Sequence, residues 1–232
     1  MVHLSKRLQA IADFVEDGDR IADIGTDHAF LPIALVEAGR VPFAIASDVG
    51  AGPVAIAKQN IADAGLNAKI DVRLADGLQG ISENDNLDTV VIAGMGGELI
   101  VKILAAGISH LDGTENLVLS PHRDTDQVRQ WLSDNEFGIL DEKILEDEGH
   151  VYEVMLVGHT VPDVPYNAAD LAFGPVLRKK RSPLFLSNLQ RREEALRRVL
   201  NGLQDAADSD EIELKRADVE AELDLVEGEL ND

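Results

Sequence analysis

Between residues 19 and 158 short apolar runs alternate with amphipathic stretches, and this alternation restricts the fold more than any other feature of the chain. Strand-like and helix-like segments in strict succession are the pattern of a mostly parallel sheet covered by helices. The runs predict strands at Arg20–Gly25, Phe43–Val49, Ile70–Ala75, Thr89–Ala93 and Leu117–Ser120. Two more, near Gly138–Leu145 and Tyr152–Gly158, have no helix between them and read as an antiparallel finishing pair. Helices are predicted near Leu31–Ala38, Pro53–Ala64, Glu98–Ala106 and Thr125–Asn135, the last opened by Asp124 as N-cap. A leading helix, Ser5–Phe14, carries Leu4, Leu8, Ile11 and Val15 at helical spacing. The fold class is therefore α/β, a doubly wound, mostly parallel seven-stranded sheet, whose ligands bind at the C-terminal ends of the strands.

After Gly158 the texture changes. Val161–Pro165 is a proline-punctuated linker, and the sequence beyond it is helical, broken at Gly174, Pro175 and Pro183. Two domains are expected, residues 1–160 and residues 161–232. In the second, Leu189, Leu196, Val199 and Leu203 form one apolar stripe and Val219, Leu223, Val226 and Leu230 another, separated by a breaker at Gly202–Asp210. Such stripes make a coiled-coil-like antiparallel hairpin, or two amphipathic helices packed on the main domain.

Composition removes several classes of function. The 232 residues include no cysteine, which excludes disulfides, thiolate metal sites and cysteine nucleophiles. The six histidines are too scattered to suggest a metal site. No run approaches the roughly 18 apolar residues of a membrane span, and Met1–Phe14 is polar every few residues, so a cytoplasmic, unprocessed protein is expected. With 21 Lys plus Arg against 43 Asp plus Glu, the net charge of −22 taken as a whole argues against a polyanionic partner. The charge is unevenly placed, however. Between Arg178 and Arg198 stand eight basic residues, including Arg178, Lys179, Lys180 and Arg181, and two acidic ones. That window is a footprint for a phosphate backbone, or else a solvated helix face.

The chemistry-bearing residues cluster at the predicted strand ends. The first strand runs into Asp23, Ile24, Gly25, Thr26, Asp27 and His28, a turn with one glycine and without the GxGxxG spacing of dinucleotide binders. That disfavours a nicotinamide or flavin cofactor and favours a smaller adenosine ligand. Asp48 closes the second strand, where a carboxylate accepts from ribose hydroxyls. Asp76 and Gly77 close the third, where a carboxylate accepts from an adenine amino group. The fourth ends in Gly94, Met95, Gly96 and Gly97, and glycines in that number are costly in backbone entropy unless something approaches the main chain closely.

These strings resemble one family. Ala22-Asp-Ile-Gly-Thr-Asp-His-Ala29 with Leu31-Pro32, Ser47-Asp48, Asp76-Gly77 and Ala93-Gly-Met-Gly-Gly97 are similar to those of the bacterial S-adenosylmethionine-dependent tRNA adenine-22 N1-methyltransferases. The resemblance implies a Rossmann-like class I methyltransferase sheet with a coiled-coil-like helical extension. It implies S-adenosyl-L-methionine as cofactor, with Gly25 and Thr26 at its methionine part, Asp23 at the turn or the amino group, Asp48 at the ribose, Asp76 and Gly77 at the adenine, and Gly94 nearby. It implies tRNA as partner, with no metal and no membrane, and a monomer is the favoured state. After the fifth strand the family carries a glutamine–proline–asparagine string where this chain has Ser120-Pro121-His122-Arg123, a departure on the substrate side.

Adenine N1 has a lone pair and needs no base before attack, but the methylated ring is cationic. Asp27 is the expected catalytic group, stabilising that charge or gripping the adenine amino group, with helix N-cap as its compatible structural role. His28 is expected beside it, and Met95, Gly96 and Gly97 as a slot for a base turned out of its stack. Met95 as core filler is the competing reading, and Trp131 and Met155 read as core. Two rival functions stay open on the sequence: a methyltransferase of a small acceptor, and a non-catalytic adenosine-binding assembly module.

Overall fold

Seven strands run through the described residues, 2–162, 164–204 and 209–232, of the computed structural model. They are β1 Arg20–Ile24, β2 Phe43–Asp48, β3 Ile70–Leu74, β4 Thr89–Met95, β5 Asn116–Pro121, β6 Gly138–Asp147 and β7 His150–Gly158. One sheet holds them in the order β3-β2-β1-β4-β5-β7-β6. The first five are parallel, and β7 runs antiparallel to both β5 and β6. The central strands carry helices on both faces, so their apolar runs are fully buried at Ala44–Ala46, Val90–Ile92 and Leu117–Leu119. The chain winds from β1 outward to β3 and then crosses back to β4. The winding therefore reverses between β1 and β4, and a crevice opens beyond their C-terminal ends.

Around the sheet lie α1 Lys6–Ala12, α2 Phe30–Glu37, α3 Ala51–Asp63, α4 Gly97–Gly107 and α5 Thr125–Asp134. Helix α1 starts at Ser5, whose hydroxyl accepts from the Leu8 N–H, and buries Ala10, Ile11 and Ala12. Its position at the sheet edge is fixed by β6: the Arg7 N–H donates to Asp147 Oδ2 at 3.0 Å and Lys143 Nζ to Asp13 Oδ2 at 3.0 Å. β4 runs two residues past its predicted end, because a bulge at Gly94 (φ +80°) keeps Met95 paired with Pro121. Asp124 does sit at the N-cap of α5, but at φ +57° its carboxylate makes no capping bond and lies 3.3 Å from Arg123 Nε instead.

Helix α5 is tied to the β6–β7 pair by a buried ion cluster. Arg129 is fully buried, donates to Glu142 Oε1 from both Nε and Nη2 at 3.0 and 2.9 Å, and also pairs with Glu153. Trp131 is half-buried against Phe137 rather than enclosed, and Met155 is fully buried.

The chain divides into two units, Met1–Pro165 and Tyr166–Asp232. The second consists of α6 Ala168–Phe173, α7 Pro175–Lys180, α8 Pro183–Gln204 and α9 Asp210–Asn231. With only residues 205–209 between them, α8 and α9 form an antiparallel pair, tied by Arg192–Glu222, Arg197–Glu227 and the Arg216 bond to the Leu203 carbonyl. Leu189, Leu196, Leu223 and Val226 are buried as their stripes require. Val199 is not: it is 42% exposed, and the α9 stripe turns so that Glu229 rather than Leu230 is buried, held by Arg178 and Arg181. Gly202 lies within α8, while part of the predicted breaker falls outside the described residues.

Removing one member of a buried ion pair strands the other charge. Arg129→Met is therefore expected to lower unfolding stability by about 3–5 kcal/mol in urea titration. Replacing Arg129, Glu142 and Glu153 together by Met, Leu and Leu should restore most of it. A loss below about 1 kcal/mol for the single change would show that the cluster is not structural.

Candidate active site

At the end of β1 the chain must turn sharply into α2, and the turn is fixed from β2. The Gly25 and Thr26 N–H groups both donate to the Ser47 carbonyl, at 2.8 and 2.9 Å. Gly25 is at φ +77°, so its conformation demands glycine, and a Cβ there would also displace the Met95 methyl, 2.6 Å away. The next residues, His28 and Ala29, are also in the left-handed region, at φ +60° and +56°, a strained pair for non-glycine residues. Asn60 of α3 supports this turn by donating from Nδ2 to the His28 carbonyl at 2.9 Å. Ala29, not Asp27, takes the N-cap position of α2, and it makes no side-chain cap bond. Asp27 is thus free of the capping role and projects into solvent at 86% exposure, 3.2 Å from His28 Nε2. The His28 ring stacks on Phe30, centroids 5.2 Å apart.

The turn and the ends of β1 and β4 enclose a cavity of about 240 Å³ lined by Arg7, Ile11, Asp23, Gly25, Asp27, Phe30, Gly94 and His122, among others. Asp23 touches this space but is otherwise surrounded by protein, with Oδ2 accepting from Thr26 Oγ1 at 2.6 Å. Burial pushes its carboxyl up to about 6, opposed by the Thr26 hydrogen bond and the Arg7 charge and reinforced by the Asp48 and Asp27 charges. His122, at the end of β5, is held below the usual imidazole range by burial and by Arg7. Its ring meets Tyr152 edge-on at 5.7 Å, and the Arg7 guanidinium lies 5.5 Å from the same Tyr152 ring centre.

Along the crevice toward β3, Asp48 Oδ1 accepts from the Gly50 N–H at 2.6 Å. Asp76 is exposed at the head of a 3₁₀ turn, and Gly77 (φ +54°) has Ile103 within 3.0 Å of where a Cβ would be. They border a smaller pocket of about 110 Å³ with Leu99, Lys102 and Ile103. The crevice thus has a polar cavity at the β1–β4 end and a flatter, more apolar pocket at the β3–α4 end.

The glycines after β4 have reasons other than the expected ligand slot. Gly97 donates to the Arg123 carbonyl at 2.9 Å, and a Cβ there would fall 2.2 Å from the Asp124 carbonyl oxygen. It is buried against the loop after β5, which the His122 N–H also ties to the Met95 carbonyl at 2.9 Å. Gly96 faces the Arg123 side chain. Of the four residues of this string, only Gly94 lines the cavity. In the helical unit Arg178 is paired with Asp170 and Glu229, and Arg181 with Glu229, whereas Lys179 and Arg198 are exposed and make no ion pair among the described residues. The basic window is therefore partly neutralised from within. Sequence reasoning missed Phe30, Asn60 and the cavity roles of Arg7 and His122. Arg7 had a signal: it flanks the Leu4, Leu8, Ile11 stripe that points α1 at the sheet.

The model of a family described as tRNA (adenine(22)-N(1))-methyltransferase matches residues 21–228. The chain belongs to this family. It is 35% identical over 227 residues to the tRNA (adenine(22)-N(1))-methyltransferase of Bacillus subtilis strain 168, covering 96% of this chain and 95% of that one. A Streptococcus pneumoniae protein, a putative tRNA (m1A22) methyltransferase solved in complex with S-adenosyl-L-methionine, is 38% identical with a TM-score of 0.88, covering 99% of this chain and 100% of its own. TrmK of M. capricolum, solved with the cofactor product S-adenosyl-homocysteine, is 25% identical with a TM-score of 0.83 over 98% of each chain. Neither the small-acceptor reading nor the non-catalytic one has support from these likenesses.

The raised Asp23 carboxyl links stability to pH. Between the unfolded value of 3.8 and about 6 the folded chain holds a proton that the unfolded chain has released, so the stability of the neutral form is full below 3.8 and is lost as pH rises through about 6. Asp23→Asn, which stays neutral, is expected to match the parent in Tm near about pH 4 and to exceed it near about pH 8. A difference in Tm that is constant with pH would contradict this.

Proposed function

We propose that this protein transfers the methyl group of S-adenosyl-L-methionine to N1 of adenine 22 in tRNA. The observation that carries the reading is the crevice at the switch point between β1 and β4, with a carboxylate at the end of each of three successive strands, in a chain that matches this family almost from end to end. The cofactor fits the residues present. Asp23 and Asp48 each offer one carboxylate oxygen that has no hydrogen-bond partner among the described residues, Asp76 is exposed beside a pocket, and Gly25, Gly77 and Gly94 keep side chains out of the crevice. Asp48 would accept from the ribose hydroxyls, Asp76 from the adenine amino group, and Asp23 from the ammonium of the methionine part, with Thr26 fixing Asp23.

The cofactor supplies an electrophilic methyl on a sulfonium, displaced in line by the adenine nitrogen. The chain's task is to hold that nitrogen close and to stabilise the positive ring that results. N1 lies on the pairing edge, so the base must leave its stack. Phe30, 38% exposed and stacked on His28, presents a face for it at the cavity mouth. Asp27, solvent-facing and released from capping, accepts from the adenine amino group and meets the developing charge. His122 is held below the usual imidazole range by burial and by Arg7, which disfavours an opposing charge beside the ring. Exposed Lys179 and Arg198 suit the phosphate backbone, while Arg178 and Arg181 hold the helical unit together. The α8–α9 stripes bury each other within one chain, which supports a monomer, and a tRNA substrate supports work in the cytoplasm.

Methyl-labelled cofactor and unmodified tRNA should give 1-methyladenosine on nuclease digestion and mass spectrometry; label in small metabolites but in no tRNA would overturn the reading. Asp27→Asn is expected to lower kcat/KM about 100-fold while cofactor affinity stays within about threefold. Lys179→Ala with Arg198→Ala should weaken tRNA binding and reduce its salt slope by about 1 for each phosphate no longer neutralised. An unchanged slope would remove both residues from the interface.

A further inference from the structure

The β6–β7 hairpin runs on past the pairing of β7 with β5, which ends at Leu119 and Met155, so His150 and Tyr152 stand above the strand ends where the crevice opens. They share the face of β7 that carries Val154 into the core, because alternate residues of a strand point to one side. Beyond the core that face turns from aliphatic to aromatic. His122, at the end of β5, and His150 each meet Tyr152 edge-on, with ring centres 5.7 and 6.5 Å from it. Both histidines are exposed and Tyr152 is half-buried. Exposed histidines add little to a core, so the packing of the fold does not account for this run of three rings. Arg123 follows His122 in the loop after β5, with its side chain 77% exposed and Nε 3.3 Å from Asp124. Methyl transfer as described above gives neither Arg123 nor Tyr152 a part.

Turning the target adenine out of its stack leaves each neighbouring base with a bare face. An aromatic surface beside the cavity can cover one such face, since every base has a π-face and stacking needs no particular sequence. His122 lines the cavity itself, so the rings continue directly from the mouth that receives the target. We propose that the rings of His122, Tyr152 and His150 form a stacking surface for the nucleotide adjoining adenine 22, with Arg123 at its phosphate. The proposal rests on the tRNA reading above and adds to it a site for a base that is not methylated. Asp147 and Glu148, at the tip of the hairpin, repel a phosphate backbone, so the backbone passes on the Arg123 side and the base faces the rings. A protein partner is the rival occupant, and continuity with the cavity disfavours it.

The test pairs the loss of protein rings with the loss of a base. Transcripts with an abasic residue immediately before or immediately after adenine 22 are compared with the intact transcript, using the parent and a variant carrying His150→Ala and Tyr152→Leu. At one of the two positions the missing base is expected to lower kcat/KM of the parent about 10-fold, the scale of one lost base–aromatic stack. The variant should lose about 10-fold on the intact transcript, keep its cofactor affinity within about threefold, and lose no more than about twofold further when the base is also absent. His150→Phe with Tyr152→Phe keeps the rings and should recover most of the loss. Unchanged kcat/KM of the parent on both abasic transcripts overturns the proposal without any variant, so a misfolded variant does not leave it open. Losses that multiply in full also overturn it, because ring and base then act apart, and a variant with parent kcat/KM on the intact transcript assigns the rings to another partner. Arg123→Gln is expected to reduce the salt slope of tRNA binding by about 1, and an unchanged slope overturns the phosphate contact. If the parent methylates no tRNA, the tRNA reading itself fails, which is a distinct result.

Discussion

The Ser47 carbonyl accepts from two successive amides, Gly25 and Thr26, and much of the site follows from that one clamp. It joins the end of β2 to the turn after β1 and so fixes the crevice at the point where the winding reverses. With the turn held, Thr26 reaches back to Asp23, Gly25 lies bare against Met95, and the chain passes through two left-handed residues that release Asp27 from the start of α2. The same clamp engages the Gly25 and Thr26 amides, which would otherwise be available to an anion.

Electrostatics divide the molecule by function. A protein of net charge −22 lines its cavity with Asp23 and Asp27, offsets them with one guanidinium, and has His122 held below the usual imidazole range by burial and by Arg7. A cationic cofactor and a cationic product ring both suit such a cavity, whereas a free anion does not. In the helical unit the acidic α9 neutralises Arg178, Arg181, Arg192 and Arg197. What remains for a polyanion includes Lys179 and Arg198, which make no ion pair among the described residues, so the balance between holding the hairpin together and binding phosphate is set residue by residue.

The seven strands were legible because buried parallel strands leave unbroken apolar runs, and the carboxylates at their ends because Asp23, Asp48 and Asp76 fall where those runs stop. Sequence patterns were silent where a residue's partner lies far off along the chain. Gly96 and Gly97 are sites of close approach, and the loop at Arg123 and Asp124 is what packs against them here. Arg7 acquires its place from Asp147, 140 positions away, which no local pattern reveals. Val199 fits a heptad stripe but is exposed, and at the other end of the hairpin Glu229 rather than Leu230 is buried, held by Arg178 and Arg181.

Everything in the crevice converges on methylation of one nitrogen of one base. The decisive measurement uses two tRNA transcripts differing only in adenine or guanine at nucleotide 22, each incubated with enzyme and methyl-labelled cofactor. About one methyl group per adenine-22 transcript is expected, appearing as 1-methyladenosine, with background incorporation into the guanine-22 transcript, because only adenine presents an unprotonated N1 on that edge. Equal incorporation into both would contradict it.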